Sequence, residues 1–136
     1  TNEATEMEES QLASFISNWE DWRRQTKEFF TKLKSSGATC AGYGAGERTT
    51  ALIGMTGLGK EEVSALYDKN NNLHGLALAG SGIPIWEPDQ LLVDRPDYLA
   101  IFAQSHEKEI MKEQAEFKRS GGKFISLRSS PPKIVR

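Results

Sequence analysis

The chain has 136 residues and a formal charge of −2, with 17 Lys and Arg against 19 Asp and Glu. That is long enough for one domain with its own core, and it lacks the basic excess of a dedicated nucleic-acid binder. A single cysteine excludes an intramolecular disulfide framework and a cysteine-only zinc site. No apolar run approaches the roughly 20 residues that span a bilayer, and the acidic N-terminus carries no apolar stretch of the secretory kind. A cytoplasmic protein is expected, with no nucleic-acid and no membrane partner.

Residues 1–9 read as a flexible acidic leader, because Glu3, Glu6, Glu8 and Glu9 repel one another and no apolar period is present. From Ser10, a candidate N-cap, Leu12, Phe15, Ile16, Trp19, Trp22, Phe29, Phe30 and Leu33 fall mostly at helical spacing. Gly37, after Ser35 and Ser36, offers the stop. The helix predicted between them has about 25 residues and is roughly 37 Å long. Its wide apolar side serves either as the first core helix or as a face that docks a partner.

Shorter elements follow. Thr39–Gly42 reads as a buried strand, Glu47–Gly54 as a short helix, and Val63–Tyr67 as a second strand ending at Asp68. Residues 69–82 are loop-like, and Ile83-Pro84-Ile85 is a brief extended segment that suits a sheet edge. A short helix over Glu87–Val93 is introduced by Pro88. Asp97–Ala103 is the clearest strand, Glu107–Ser120 an amphipathic helix ended by Gly121-Gly122, and Lys123–Leu127 a last strand. The basic tail, 128–136, contains Pro131-Pro132 and is expected on the surface. The alternation predicts one α/β domain over residues 10–127 with a mostly parallel sheet.

The glycine-rich turn after the first strand is the leading candidate for chemistry. Placed where a strand opens into a helix, backbone N–H groups and the helix N-terminus can face a phosphate. The spacing Gly42-x-Gly44-x-Gly46 displaces the third glycine of the usual dinucleotide fingerprint, and such a turn can also need glycine with no ligand at all. Asp68, at the end of the second strand, either accepts from a ribose or caps its own turn with Asn70. Gln104, Ser105 and His106 stand past the carboxyl end of the strong strand, where open α/β sheets bind ligands. There His106 is a phosphate donor, a base, or simply a solvated residue opening the helix. His74 lies in a loop and Cys40 reads as a buried small residue, so no metal site is expected.

Gly42-Tyr43-Gly44-Ala45, followed by Arg48-Thr49-Thr50-Ala51-Leu52, resembles the C-terminal domain of sugar C-methyltransferases. Those enzymes use S-adenosylmethionine to methylate a carbon of a nucleotide-linked deoxysugar. Tyr67-Asp68-Lys69-Asn70, Gly80-Ser81-Gly82-Ile83-Pro84-Ile85, Arg95-Pro96-Asp97-Tyr98 and Gly121-Gly122-Lys123-Phe124-Ile125 resemble further landmarks of that family in order, so the likeness spans residues 12–127. The resemblance implies a Rossmann-like, mostly parallel sheet with flanking helices, preceded by a long N-terminal helix, that helps hold a nucleotide-sugar. By the same likeness Gly42, Tyr43, Gly44 and Ala45 line the diphosphate site. Arg48 is the basic residue after the turn, Asp68 and Asn70 lie toward the nucleoside, and Ile83 and Pro84 shape a wall. The chain has no counterpart of the family's cysteine-rich zinc segment or methyltransferase core, and it has Ala103-Gln104-Ser105 where the family has Ala-Trp-Asn. The implied S-adenosylmethionine therefore belongs to a methyltransferase domain or subunit outside this chain, and no cofactor is expected on this chain alone. The competing expectation is a stand-alone nucleotide-responsive interaction module without catalysis.

Overall fold

The computed structural model describes residues 2–135, with side chains from residue 8 onward. The first element, α1 (Asn2–Ser35), takes in the stretch expected as a leader, so Ser10 lies inside the helix and is not its N-cap. The helix ends where expected: Gly37 takes φ 87° and the Ala38 amide returns to the Leu33 carbonyl.

The strands β1 (Cys40–Tyr43), β2 (Leu66–Tyr67), β3 (Ile85–Trp86), β4 (Tyr98–Ile101), β5 (Lys123–Ser126) and β6 (Lys133–Val135) form one sheet in the order β3-β2-β1-β4-β5-β6. The first five run parallel; β6 is antiparallel to β5, with Phe124 opposite Val135 and Ser126 opposite Lys133. The tail expected on the surface is largely exposed, and its end also pairs as the edge strand β6, which was not foreseen. Past the buried Pro132 the chain turns back, and the Lys-Ile-Val sequence is suited to an edge, with β-branched residues for pairing and a lysine toward solvent.

The connecting helices are α2 (Glu47–Thr56), α3 (Gln90–Asp94), α4 (Glu107–Glu113) and α5 (Ala115–Arg119). A single helix was expected over Glu107–Ser120, but Gln114 leaves the helical region (φ −100°, ψ 29°) and divides it. Beyond the break Phe117 lies against Phe124, ring centroids 5.6 Å apart, and over Gly122, where a Cβ would stand only 2.2 Å from the ring.

Two apolar layers sandwich the sheet, as the period-2 alternation of its strands requires. On one side Phe30 of α1 and Leu52 and Ile53 of α2 pack with Cys40, Ala100, Phe102 and Ile125. On the other, Leu91, Ile110 and Phe117 pack with Ala41, Tyr43, Tyr67, Leu99 and Ile101. Neighbouring β1 and β4 send their following connections to opposite faces, so a crevice opens where they part. Among the described residues no helix is long and apolar enough to cross a membrane.

Candidate ligand-binding site

The crevice at the carboxyl ends of β1 and β4 widens into a cleft of about 630 Å³ lined by Gly44, Arg48, Asp68, Ala103, Gln104 and Ser105, with Gly46, Glu47 and Thr49 along the start of α2. Each glycine of the turn has a separate cause. Gly42 lies in β1 beneath Phe102, and a Cβ there would stand 2.4 Å from that ring and 2.7 Å from Leu66. Gly44 takes φ 107°, and its Cβ would meet the Ala103 nitrogen at 2.9 Å. Gly46 has ordinary extended geometry and open space around it; it is the N-cap of α2.

Asp68 holds this turn together. Its Oδ2 accepts from the Ala45 amide at 2.8 Å and its Oδ1 from the Asn70 amide at 2.9 Å, while the Gly44 amide donates to the Tyr67 carbonyl at 2.8 Å. His74 places Nε2 against the Asp68 carbonyl, and Asn70 in turn accepts from the Asn72 amide. Asp68 therefore braces the site, and its bond from the Asn70 amide is the turn cap that was one of its two expected roles. The amides of Gly44 and Ala45, which the sequence offered to a phosphate, are spent inside the fold. Those of Gly46, Glu47, Arg48 and Thr49 are not: no side chain caps α2, and among the described residues these amides have no partner. Four free donors and the positive end of a helix thus border one cleft, which Arg48 also lines. Glu47 is exposed at its rim.

Of the expected site residues, Gly44, Arg48, Asp68, Gln104 and Ser105 come together in the cleft. Tyr43 and His106 line an adjoining pocket on the α4 side. His106 is well exposed there, its Nδ1 3.7 Å from Glu109. Gly42 and Ala45 are buried behind the turn, and Asn70 caps the short 3-10 turn Asn71–Leu73. Ile83 is wholly buried in the core and Pro84 bridges to Ala77; neither lines the cleft. Sequence reading passed over Glu109 and Glu113, which line the pocket with His106 and Lys69. The spacing of positions 106, 109 and 113 along one helix face was the available signal.

The strand order and the crevice at its switch point define a Rossmann-like α/β domain. Residues 2–127 match the family described as the C-methyltransferase C-terminal domain, and the chain belongs to that family. It is 37% identical over 111 residues to the C-methyltransferase NovU of Streptomyces niveus, an alignment covering 82% of this chain and 26% of that protein. The chain thus spans about a quarter of the length of the curated relative it matches. Its fold is similar to that of UDP-D-quinovosamine 4-dehydrogenase from Vibrio fischeri, with a TM-score of 0.50 over 71% of this chain and 92% of that one. At 18% identity, that likeness is one of fold.

Proposed function

We propose that this domain holds a nucleotide-sugar by its diphosphate, as the substrate-binding part of a sugar C-methyltransferase. The observation that carries the reading is the uncapped start of α2, whose four free amides, with Arg48 beside them, border a cleft at the sheet's switch point. A diphosphate satisfies all of these at once, and the braced Gly44–Ala45 turn lets it approach the backbone. Family membership supports the reaction context, and the dehydrogenase that shares the fold is itself an enzyme of a UDP-sugar.

In this reading the methyl donor, S-adenosylmethionine, is held by a domain or subunit beyond this chain. The half of α1 that leaves the domain bears Leu12, Phe15, Ile16 and Trp19 largely uncovered, and in this reading that face packs against the methyltransferase portion.

Isothermal titration with UDP, dTDP, NAD and coenzyme A tests the proposal. Gly44→Val is a poor control, because it breaks the turn itself. Gly46→Asp is better: its extended backbone accepts aspartate, which caps α2 from within and sets a carboxylate where the phosphate belongs. Nucleoside diphosphate binding that falls at least tenfold in Gly46→Asp, with thermal stability within a few tenths of a kcal/mol, is the expected result. Binding that is unaffected by the substitution, or confined to NAD or coenzyme A, would overturn the assignment.

A further inference from the structure

A concentration of unopposed charge lies apart from the phosphate cleft, along α4 and α5. Two hollows there, of about 320 and 510 Å³, share Lys118 and Phe124. The first runs past Lys108, Met111, Lys112 and Ala115. The second continues past Gly122 and Lys123 to Ile134 and Val135 of β6. Together they make one groove between the helix pair and the edge of the sheet. The stretch that builds β6 lies past residues 2–127, so this wall falls outside the family match.

No acidic residue lines either hollow, although the whole chain carries a charge of −2. The acids of the same helices are engaged elsewhere, Glu113 with Lys69 and Glu116 with Arg119. Lys108, Lys112, Lys118 and Lys123 are exposed, and among the described residues none of them enters an ion pair. Lysines four apart on one helix, such as Lys108 and Lys112, repel one another. Between the lysines the lining is apolar: Met111, Ala115 and Val135 are half-buried and Ile134 is 43% exposed. Val135 stands opposite Phe124 in the ladder, hence on the side of the sheet that carries α4 and α5. While α5 packs on β5, β6 extends the sheet one strand further. A helix about 10 Å across, laid beside α4 and α5, would extend their layer over that edge.

We propose that this groove docks an acidic amphipathic helix of a partner protein. Its apolar stripe rests on Met111, Ala115, Ile134 and Val135, and its flanking carboxylates meet Lys108, Lys112, Lys118 and Lys123. Lysines on flexible stems suit carboxylates spread along a helix, and neither hollow is lined by an arginine for bidentate phosphate recognition. A nucleic acid is disfavoured, because Phe124 is buried and offers no face for base stacking, and the chain's net charge repels a polyanion. A bilayer is disfavoured because the apolar residues line a hollow instead of projecting from a flat face.

The test titrates the intact chain with a fluorescent helical peptide of repeated Leu-Glu-Glu-Leu-Leu-Glu-Glu, with amide NMR to locate the contact. The comparison probes are the same peptide with glutamine for every glutamate, a scrambled peptide of equal composition, a single-stranded oligonucleotide and phosphatidylserine vesicles. The acidic peptide is expected to bind at least tenfold tighter than each of them and to shift the amides of Met111, Lys118, Phe124 and Val135. Lys112→Glu with Lys118→Glu is expected to weaken it at least tenfold at an unchanged melting temperature. Ile134→Asp, at an exposed position, is expected to weaken it as well and decides the matter should the double variant unfold. Absence of binding by the acidic peptide overturns the proposal. So does equal binding of any comparison probe, binding that survives these substitutions, or shifts confined to α1 or the phosphate cleft. None of these readouts depends on nucleotide binding, so this proposal and the nucleotide-sugar reading fail separately.

Discussion

At the scale of single residues, the glycine turn separates packing from chemistry. Gly42 is there because Phe102 and Leu66 leave no room for a Cβ. Gly42→Ala is expected to lower stability by about 1–3 kcal/mol, measured by denaturant unfolding. Asp68 accepts two amides with its two oxygens, and an asparagine in its place would turn an NH2 group toward one of those donors. Asp68→Asn is accordingly expected to cost about 1–3 kcal/mol and to weaken diphosphate binding by loosening Gly44 and Ala45. Unchanged stability in that variant would show that the carboxylate does not brace the turn. The sequence displayed the glycines and the acid but not this division of labour. Whether an amide is free or spent depends on partners more than twenty positions away, and local pattern does not carry that information. The same holds for Tyr43: alternation along β1 assigns its ring to the α4 side, but only the packed structure shows how fully its hydroxyl is enclosed.

Elements were legible in proportion to their local signal. The carboxyl end of α1, the turn into α2 and the strong β4 are nearly where apolar period and glycine placement put them. The parallel sheet follows from the alternation of strands and helices. The break at Gln114 and the pairing of β6 were not legible, since both depend on tertiary partners: Phe117 meeting Gly122 and Phe124 in one case, an open edge of β5 in the other. The anchoring of α1 to the loop after α2 is likewise a long-range matter. Lys27 donates to the Gly57 carbonyl at 2.7 Å and pairs with Glu62. Burial alone would raise the Glu62 pKa, but the hydrogen bond and charge of Lys27, with backbone donors, outweigh it and hold the carboxyl below its ordinary value. A carboxyl depressed in the folded state contributes stability that is complete above its unfolded pKa, about 4.3, and is lost as pH falls through the lower folded value. Glu62→Gln should therefore flatten the acid limb of the stability curve below about pH 5 while costing about 1 kcal/mol near neutrality. An acid limb identical to that of the native chain would remove Glu62 from this role.

On the scale of the whole molecule, α1 belongs to two environments. Phe30 is wholly buried and stacks on Phe102, ring centroids 6.3 Å apart, whereas Phe15 is 66% exposed. Phe30→Ala is expected to cost about 3–5 kcal/mol. Phe15→Ser should stay within about 0.5 kcal/mol in the isolated chain. Comparable losses at both positions, in thermal or denaturant melts, would mean that the stripe is covered in solution.

The same helix has a kinetic consequence. Backbone hydrogen bonds around Thr26 and Phe30 can open only when the sheet's apolar layer is breached, so their amides should exchange with deuterium no faster than global unfolding allows. Around Phe15 the hydrogen bonds of the same continuous helix are shielded by little besides their own turns, and opening there leaves the core intact. One unbroken element should thus show two exchange clocks. The slow one belongs to the fold, while the fast one should slow down only when something settles onto Leu12, Phe15, Ile16 and Trp19.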